Sequence, residues 1–271
     1  MKAIKRNLFN LVKVIKAIIK SLSFLALVIF YLIGTLFVNI TEKDKAEKLR
    51  KLSLVASYLT SLALKVLDVK VNIQDESNIL SDARSVLVVS NHLSYLDIFI
   101  ISSIIPSIFI AGVDGVQEQF IIGKLTKLSG SIFVERRGRS KLGMNLKQVT
   151  DAFSHNVNLV LFPEGTTTNG ETVIPFKSSF FQSAAASGSS VLPLCIKYKG
   201  INGEPVNKDN RDLLYFYGEA PFFRHFFTLL MQRDINVDLI VLDLINVDEF
   251  ADRKELSAAT YNSILSSYRS N

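Results

Sequence analysis

Cysteine is almost missing from this 271-residue chain. Cys195 stands alone, which excludes an internal disulfide framework and fits a reducing compartment. Histidine is scarce as well: His92, His155 and His225 lie far apart in sequence. No Cys/His cluster has metal-ligand spacing, so zinc chemistry is not expected and no metal site is assigned. The chain shows no internal repeat and no low-complexity tract. It carries none of the short nucleic-acid motifs, so no nucleic-acid partner is expected. Acidic residues are absent from positions 1–20, and charge of either sign is absent from 21–41.

What is present is basic and apolar together. The formal charge is +6, and the pI is near 9.3 with a mean hydropathy of +0.28. That combination suits a membrane surface more than nucleic acid. Residues 1–20 hold six Lys/Arg, with Ile4, Leu8, Leu11, Ile15 and Ile18 at helical spacing, which makes a basic amphipathic helix. As a helix, 21–41 would be about 31 Å long, enough to cross a bilayer. A cleaved signal peptide is the rival reading, but the apolar run is long and no A-x-A site follows. A second uncharged stretch, 52–64, is too short to span. Ser53, Ser57 and Ser61 fall on one side of it, and Leu54, Val55, Tyr58, Leu59 and Leu62 on the other. With the basic N-terminus on the cytosolic side, a hairpin dipping into one leaflet is favoured over a single span. The charged turn at 41–51 suits a return to the interface. The expected organisation is a membrane-associated helical hairpin over 1–69 and an α/β domain over 70–271, held on the cytosolic face.

From about residue 70, short apolar runs alternate with helical patterns, the signature of an α/β fold. Strands are expected at 85–90, 131–135, 158–162, 191–198, 213–218 and 236–244. Helices are expected near 97–105, 116–128, 140–154, 177–187, 220–231 and 253–268. Segment 199–212 is polar and rich in turn formers and reads as a surface loop. The fold class is α/β, a mixed β-sheet flanked by helices, with the membrane-anchoring hairpin in front. His92, Arg136 and Glu164 each fall just past an expected strand, and ligands on such sheets gather at strand ends.

In "VVSNHLSYLDIFI", 88–100, a histidine ends a strand and Asp97 comes early in the next helix. Across the turn the carboxylate can accept the Nδ1 proton, fix the tautomer and leave Nε2 as a base toward a hydroxyl. The same pair also reads as a core histidine satisfied by a capping aspartate, and the spacing alone does not decide. In "LFPEGTTTNG", 161–170, Pro163 ends a ladder and Gly165 lets a ligand approach the backbone. Exposed N–H groups and threonine hydroxyls there suit an anionic or hydroxylated ligand. Glu164 reads equally as a loop carboxylate paired with an arginine. His225, in "FFRHFFTLL", belongs to an aromatic helix that suits packing or a second membrane contact.

Together these segments resemble a known family. "NHLSYLD" is similar to the N-H-x4-D motif, and "FPEGT" to the F-P-E-G-T motif, of the glycerolipid acyltransferases related to lysophosphatidic acid acyltransferase (PlsC-like). "GSIFVERR", 130–137, resembles the family's G-x-x-F-V-D/E-R segment and puts Arg136 on its arginine. "VLPL", 191–194, resembles its V-I-P-V block, and "PFKSSFFQSA", 175–184, its F-K-x-G-x-F stretch. The resemblance covers roughly 70–200.

It implies an O-acyltransferase that moves a fatty acyl chain from acyl-CoA or acyl carrier protein to the free hydroxyl of a lysolipid, with no other cofactor. The commonest acceptor is 1-acylglycerol-3-phosphate, giving phosphatidic acid. The resemblance further implies that His92 is the general base held by Asp97, and that Arg136, Glu164, Gly165, Thr166 and Lys177 bind substrate. Two departures bear on the acceptor. Thr167 stands where the family commonly has arginine, and Val113 and Gly115 stand where Lys and Glu are common. The "FPEGTTTNG" form resembles members acting on other lysophospholipids or lyso-ornithine lipids. A non-catalytic lipid-binding protein and a thioester hydrolase using the same base on water are the rival readings.

Overall fold

A computed structural model describes residues 2–112, 120–134 and 139–270. Eight strands form one sheet: β1 (Val69–Gln74), β2 (Leu87–Ser90), β3 (Ser107–Gly112), β4 (Ile132–Val134), β5 (Asn158–Leu161), β6 (Val191–Ile201), β7 (Glu204–Pro205) and β8 (Ile235–Val241). Their order is β1-β8-β6-β2-β5-β3-β4, with β7 paired to β6. The β6–β8 and β6–β7 pairs are antiparallel and the rest are parallel, so the sheet is mixed. The helices are α1 (Lys2–Thr41), α2 (Lys45–Leu67), α3 (Ile79–Asp82), α4 (Leu96–Ile104), α5 (Phe120–Leu128), α6 (Arg139–Phe153), α7 (Phe181–Ser187), α8 (Phe222–Leu230) and α9 (Arg253–Arg269).

The central strands are apolar on both faces because both faces are covered, as parallel strands require. Along β2, Val88 belongs to the core cluster that also holds Leu64 and Leu67 of α2, Leu96 and Ile100 of α4, and Leu229 of α8. Its neighbours Leu87 and Val89 point the other way, toward Val149 and Phe153 of α6, Phe181 of α7 and Ile264 of α9. Burying one such side chain contributes about 1.5–3 kcal/mol. The result is three layers, with the loop ends of β2 and β5 emerging side by side.

Five of the six expected strands are present. The exception is 213–218. Arg211–Leu213 form a 3-10 turn, and the Arg211 carbonyl accepts from both Leu214 N and Tyr215 N. That turn takes the N–H groups a ladder would need, and the segment becomes a strap whose Phe216 N donates to Leu93 O. Three strands, β1, β3 and the two-residue β7, are not anticipated by the sequence. β1, "VKVNIQ", carries Lys, Asn and Gln and is largely open to solvent at the sheet edge. β3 is hidden in the apolar run that continues α4, with Pro106 marking the break. The expected surface loop at 199–212 contains the end of β6 and the short β7. Of the helix expected at 116–128, the part before 120 lies outside the described residues. The helix expected at 177–187 begins only at Phe181.

At the N-terminus the basic and apolar segments form one continuous helix. A three-residue turn leads from Thr41 into α2, where Asp44 caps the start by accepting from Glu47 N. The two helices run antiparallel, with Lys20 reaching the Leu67 carbonyl and Gly34 lying beside Val55. One side of α1 packs on the body: Thr35 and Val38 are buried, and the Tyr31 hydroxyl donates to Leu125 O. The other side is bare. Val14–Thr41 is long and apolar enough to cross a membrane, and Phe37 and Ile40 are 65% and 71% exposed. So large an apolar face is a membrane-association surface.

In the second helix the buried side is the one that carries Ser53. Ser53 is buried against the body with Leu52, Ala63 and Leu64, while Leu54 and Tyr58 face outward. Small Ser53 permits close packing on the body, and the bulkier side chains extend the bare face of α1.

Candidate active site

Local hydrogen bonds aim the His92 side chain. The preceding Asn91 is fully buried at the end of β2. Its Oδ1 accepts from Ile196 N at 2.8 Å and its Nδ2 donates to Ile196 O at 3.0 Å, a two-bond clamp that joins β2 to β6 beyond their ladder. His92 follows with both main-chain groups tied to the 164–168 loop: its N–H donates to Glu164 Oε1 at 2.7 Å, and its carbonyl accepts from Thr168 N at 3.0 Å. The imidazole lies flat on Phe162, centroids 3.9 Å apart and planes 11° off parallel.

Asp97, in the first turn of α4, is completely buried. Its Oδ2 lies 2.9 Å from His92 Nδ1 and also accepts from Leu93 N at 2.6 Å and Ser94 N at 2.9 Å. Its Oδ1 accepts from the Tyr198 hydroxyl at 2.7 Å. A buried carboxylate is tolerable only when donors replace its lost hydration, and here four do. Burial, with the Asp97 charge beside it, pushes the Tyr198 phenol well up, so it remains a donor. With Nδ1–H facing Asp97, the lone pair falls on Nε2. That atom has no hydrogen-bond partner among the described residues, and 15% of the side chain is open. The arrangement can take a proton from a hydroxyl brought to this opening.

Glu164 is placed differently from the expectation that it touches substrate. It is 2% exposed, and its two oxygens accept from His92 N and Ile174 N, the latter at 3.0 Å. It acts as a bolt between the two motif loops, leaving little of the carboxylate for a ligand. Burial pushes its carboxyl up to about 7, opposed by the two N–H groups and reinforced by Asp97.

Gly165 follows with φ of 77°, a left-handed turn that glycine makes freely. Thr166 beyond it is exposed. Lys177 is exposed too, and its main-chain N–H donates to Pro163 O at 2.9 Å, which holds the 171–180 loop beside the F-P-E-G-T turn. Arg136 and Arg137, and Val113 and Gly115, lie outside the described residues.

Several supporting residues are not singled out by the sequence reading. Tyr198 sits on the apolar strand β6, where nothing in its own segment marks it. Tyr95, inside the N-H-x4-D motif, places its hydroxyl 2.9 Å from His225 Nδ1 and its ring among Phe216, Phe222 and Phe226. His225 thus ties α8 to the motif loop, and burial lowers its basicity.

A family model described as Acyltransferase matches residues 70–197. The lyso-ornithine lipid O-acyltransferase of Rhizobium meliloti is 31% identical over 203 residues, 72% of this chain and 68% of that protein. The 1-acyl-sn-glycerol-3-phosphate acyltransferase of Neisseria gonorrhoeae is 34% identical over 121 residues, 45% of this chain and 47% of that protein. Among solved structures, the 1-acyl-sn-glycerophosphate (LPA) acyltransferase PlsC from Thermotoga maritima has the same fold. It aligns with a TM-score of 0.65 at 20% identity, over 97% of this chain and 96% of that one. A relative more than 30% identical across two thirds of its length, together with the family match over the segment that holds His92, Asp97 and Glu164, decides the assignment: the chain belongs to the acyltransferase family and is an O-acyltransferase.

Proposed function

We propose that the protein transfers a fatty acyl chain from a thioester, on coenzyme A or acyl carrier protein, to the free hydroxyl of a lysolipid. The observation that carries this reading is the His92–Asp97 pair, with Nδ1 held by the carboxylate at 2.9 Å and Nε2 without a partner among the described residues. As the acceptor oxygen attacks the thioester carbonyl, Nε2 takes the hydroxyl proton and Asp97 stabilises the imidazolium. The tetrahedral intermediate then collapses, the C–S bond breaks, and the imidazolium returns the proton to the departing thiolate. No serine or cysteine nucleophile is needed, because the acceptor alcohol attacks directly. Orientation and oxyanion stabilisation by backbone N–H groups supply the rest. Gly165, Thr166, Lys177 and Arg136 are assigned to the acceptor head group, and Glu164 to holding His92 in place.

The acceptor has two readings. The family's commonest one, 1-acylglycerol-3-phosphate, keeps Arg136, Arg137 and Lys177 for its phosphate. A lyso-ornithine lipid or lysophosphatidylethanolamine is favoured by Thr167 and Val113, which remove two cations, and by the name of the Rhizobium relative. A charge-assisted hydrogen bond contributes roughly 1.5–3 kcal/mol, so losing one lowers affinity by about ten-fold or more. A head-group screen with one labelled acyl thioester tests this. Transfer to at least one acceptor besides lysophosphatidic acid is expected, and Arg136→Ala should be far more damaging than any change at Thr167. Strict selectivity for lysophosphatidic acid would contradict the weight given to the missing cations.

The same reading places the bare face of α1 and α2 in one leaflet with both chain ends on the cytosolic side. The three-residue turn between antiparallel helices supports it. In sealed vesicles with the cytosolic side inward, tags on both termini should be protected from protease. Cleavage of one tag alone would mean a single span.

A further inference from the structure

We infer that the cleft at the C-terminal ends of α2 and α8 is a binding site for the phosphate of an anionic membrane lipid, separate from the catalytic opening. The cleft encloses about 980 Å³ and is lined by five cations, Lys16, Lys20, Lys65, Lys70 and Arg233, against two carboxylates, Asp68 and Asp234. Both carboxylates are engaged within the protein. Asp234 pairs with Lys70 at 2.8 Å, and Asp68 accepts from Asp234 N at 2.7 Å. Lys20 donates to the carbonyls of Leu67 and Gln232 at 3.2 and 2.7 Å. It thereby answers the negative ends of two helices, which would otherwise repel an anion. Lys16, Lys65 and Arg233 remain exposed, and among the described residues none has a carboxylate within ion-pair distance.

The surroundings identify the source of the phosphate. Lys16 follows exposed Ile15 by one residue, about 100° around the helix, where the flanking cations of an interfacial helix meet head groups. Met231, on the cleft wall, is exposed, as are Phe227 and Phe223 about one and two turns earlier on α8. Phe226 of that helix packs on Phe24 of α1, centroids 4.8 Å apart, so the apolar surfaces of α1 and α8 adjoin. A free phosphate would have no use for this apolar border. A lipid can place its phosphate in the cleft and its chains along it.

Sedimentation of the full chain with vesicles tests the site, and its readout does not depend on acyl transfer. Two triple variants carry the same change of charge: Lys16→Glu, Lys65→Glu and Arg233→Glu in the cleft, and Lys147→Glu, Lys254→Glu and Arg269→Glu at exposed positions elsewhere. Each juxtamembrane cation multiplies affinity for an anionic leaflet roughly five-fold, so the cleft variant should bind phosphatidylglycerol-containing vesicles about a hundred-fold more weakly. Its binding to pure phosphatidylcholine vesicles should be unchanged, and that arm also reports a folded hairpin. The control triple should lose far less. Equal losses in the two triples would show only the field of the whole protein and overturn the site. So would unchanged binding of the cleft variant to phosphatidylglycerol vesicles. Full competition by inorganic phosphate at matched ionic strength would reassign the cleft to a free anion, and selective loss of binding to acyl carrier protein would reassign it to that acidic partner.

Discussion

Replacing His92 by alanine is expected to lower acyl transfer by about 10²–10⁴-fold, the usual contribution of a positioned general base. The fold should survive, because what ties the His92 segment down is main chain. Its N–H to Glu164 and its carbonyl to Thr168 do not involve the imidazole, and alanine preserves both. What is lost is the base itself, one of the four donors to the buried Asp97 carboxylate, and the stack on Phe162, an aromatic contact contributing about 0.5–1.5 kcal/mol. Label transfer from acyl thioester to lysolipid, measured beside a thermal melt, separates the two effects. A large fall in rate with a small fall in melting temperature is the expected pair of results. Near-normal transfer by the purified variant would remove His92 from the chemistry.

Asp97→Asn should be comparably damaging, for a different combination of reasons. The carboxylate accepts four hydrogen bonds, from His92 Nδ1, Leu93 N, Ser94 N and the Tyr198 hydroxyl. An asparagine amide offers one acceptor oxygen and turns an NH₂ group toward donors. If the oxygen keeps the two main-chain N–H groups, the NH₂ meets Tyr198. If it turns to Tyr198, the NH₂ meets the backbone donors and His92, which favours the wrong imidazole tautomer. Each buried donor left unsatisfied costs about 1–3 kcal/mol, so stability falls together with activity, unlike the His92→Ala case. Tyr198→Phe gives the comparison, since it removes one donor and leaves the imidazole contact intact. It should lower stability by about 1–3 kcal/mol with a smaller loss of rate than Asp97→Asn. Equal effects of Asp97→Asn and Tyr198→Phe on turnover would mean that Asp97 serves packing and not the imidazole.

The chemistry was legible where it is local. His92 and Asp97 are five residues apart across a strand-to-helix turn, so sequence spacing and spatial geometry coincide. Gly165 announces its left-handed turn by residue type alone. What depends on distant chain was not legible. Tyr198 reaches Asp97 only because β6 pairs beside β2 and runs past its end, and the Tyr95–His225 contact joins residues 130 apart. For Glu164 the family resemblance implies contact with substrate, yet Ile174, ten residues downstream, donates its N–H to the carboxylate and His92 N takes the other oxygen. The same limit applies to α2. Helical periodicity separates its small and large faces correctly, but which face the body takes is decided by packing, and the body takes Ser53. At 213–218 strand propensity yields to a turn begun by Asn210 and Arg211, whose carbonyls capture the following N–H groups. Strands β1 and β3 escaped for opposite reasons, one too polar and the other too continuously apolar to show an alternation.

The most direct measurement is release of free thiol from an acyl thioester by the purified full chain, with and without lysolipid, for the unaltered protein and for His92→Ala. Base-assisted acyl transfer to an acceptor hydroxyl predicts thiol release that requires lysolipid, matches the acylated product mole for mole, and nearly vanishes in the variant. Equal thiol release without any lysolipid, or undiminished release by His92→Ala, would contradict it.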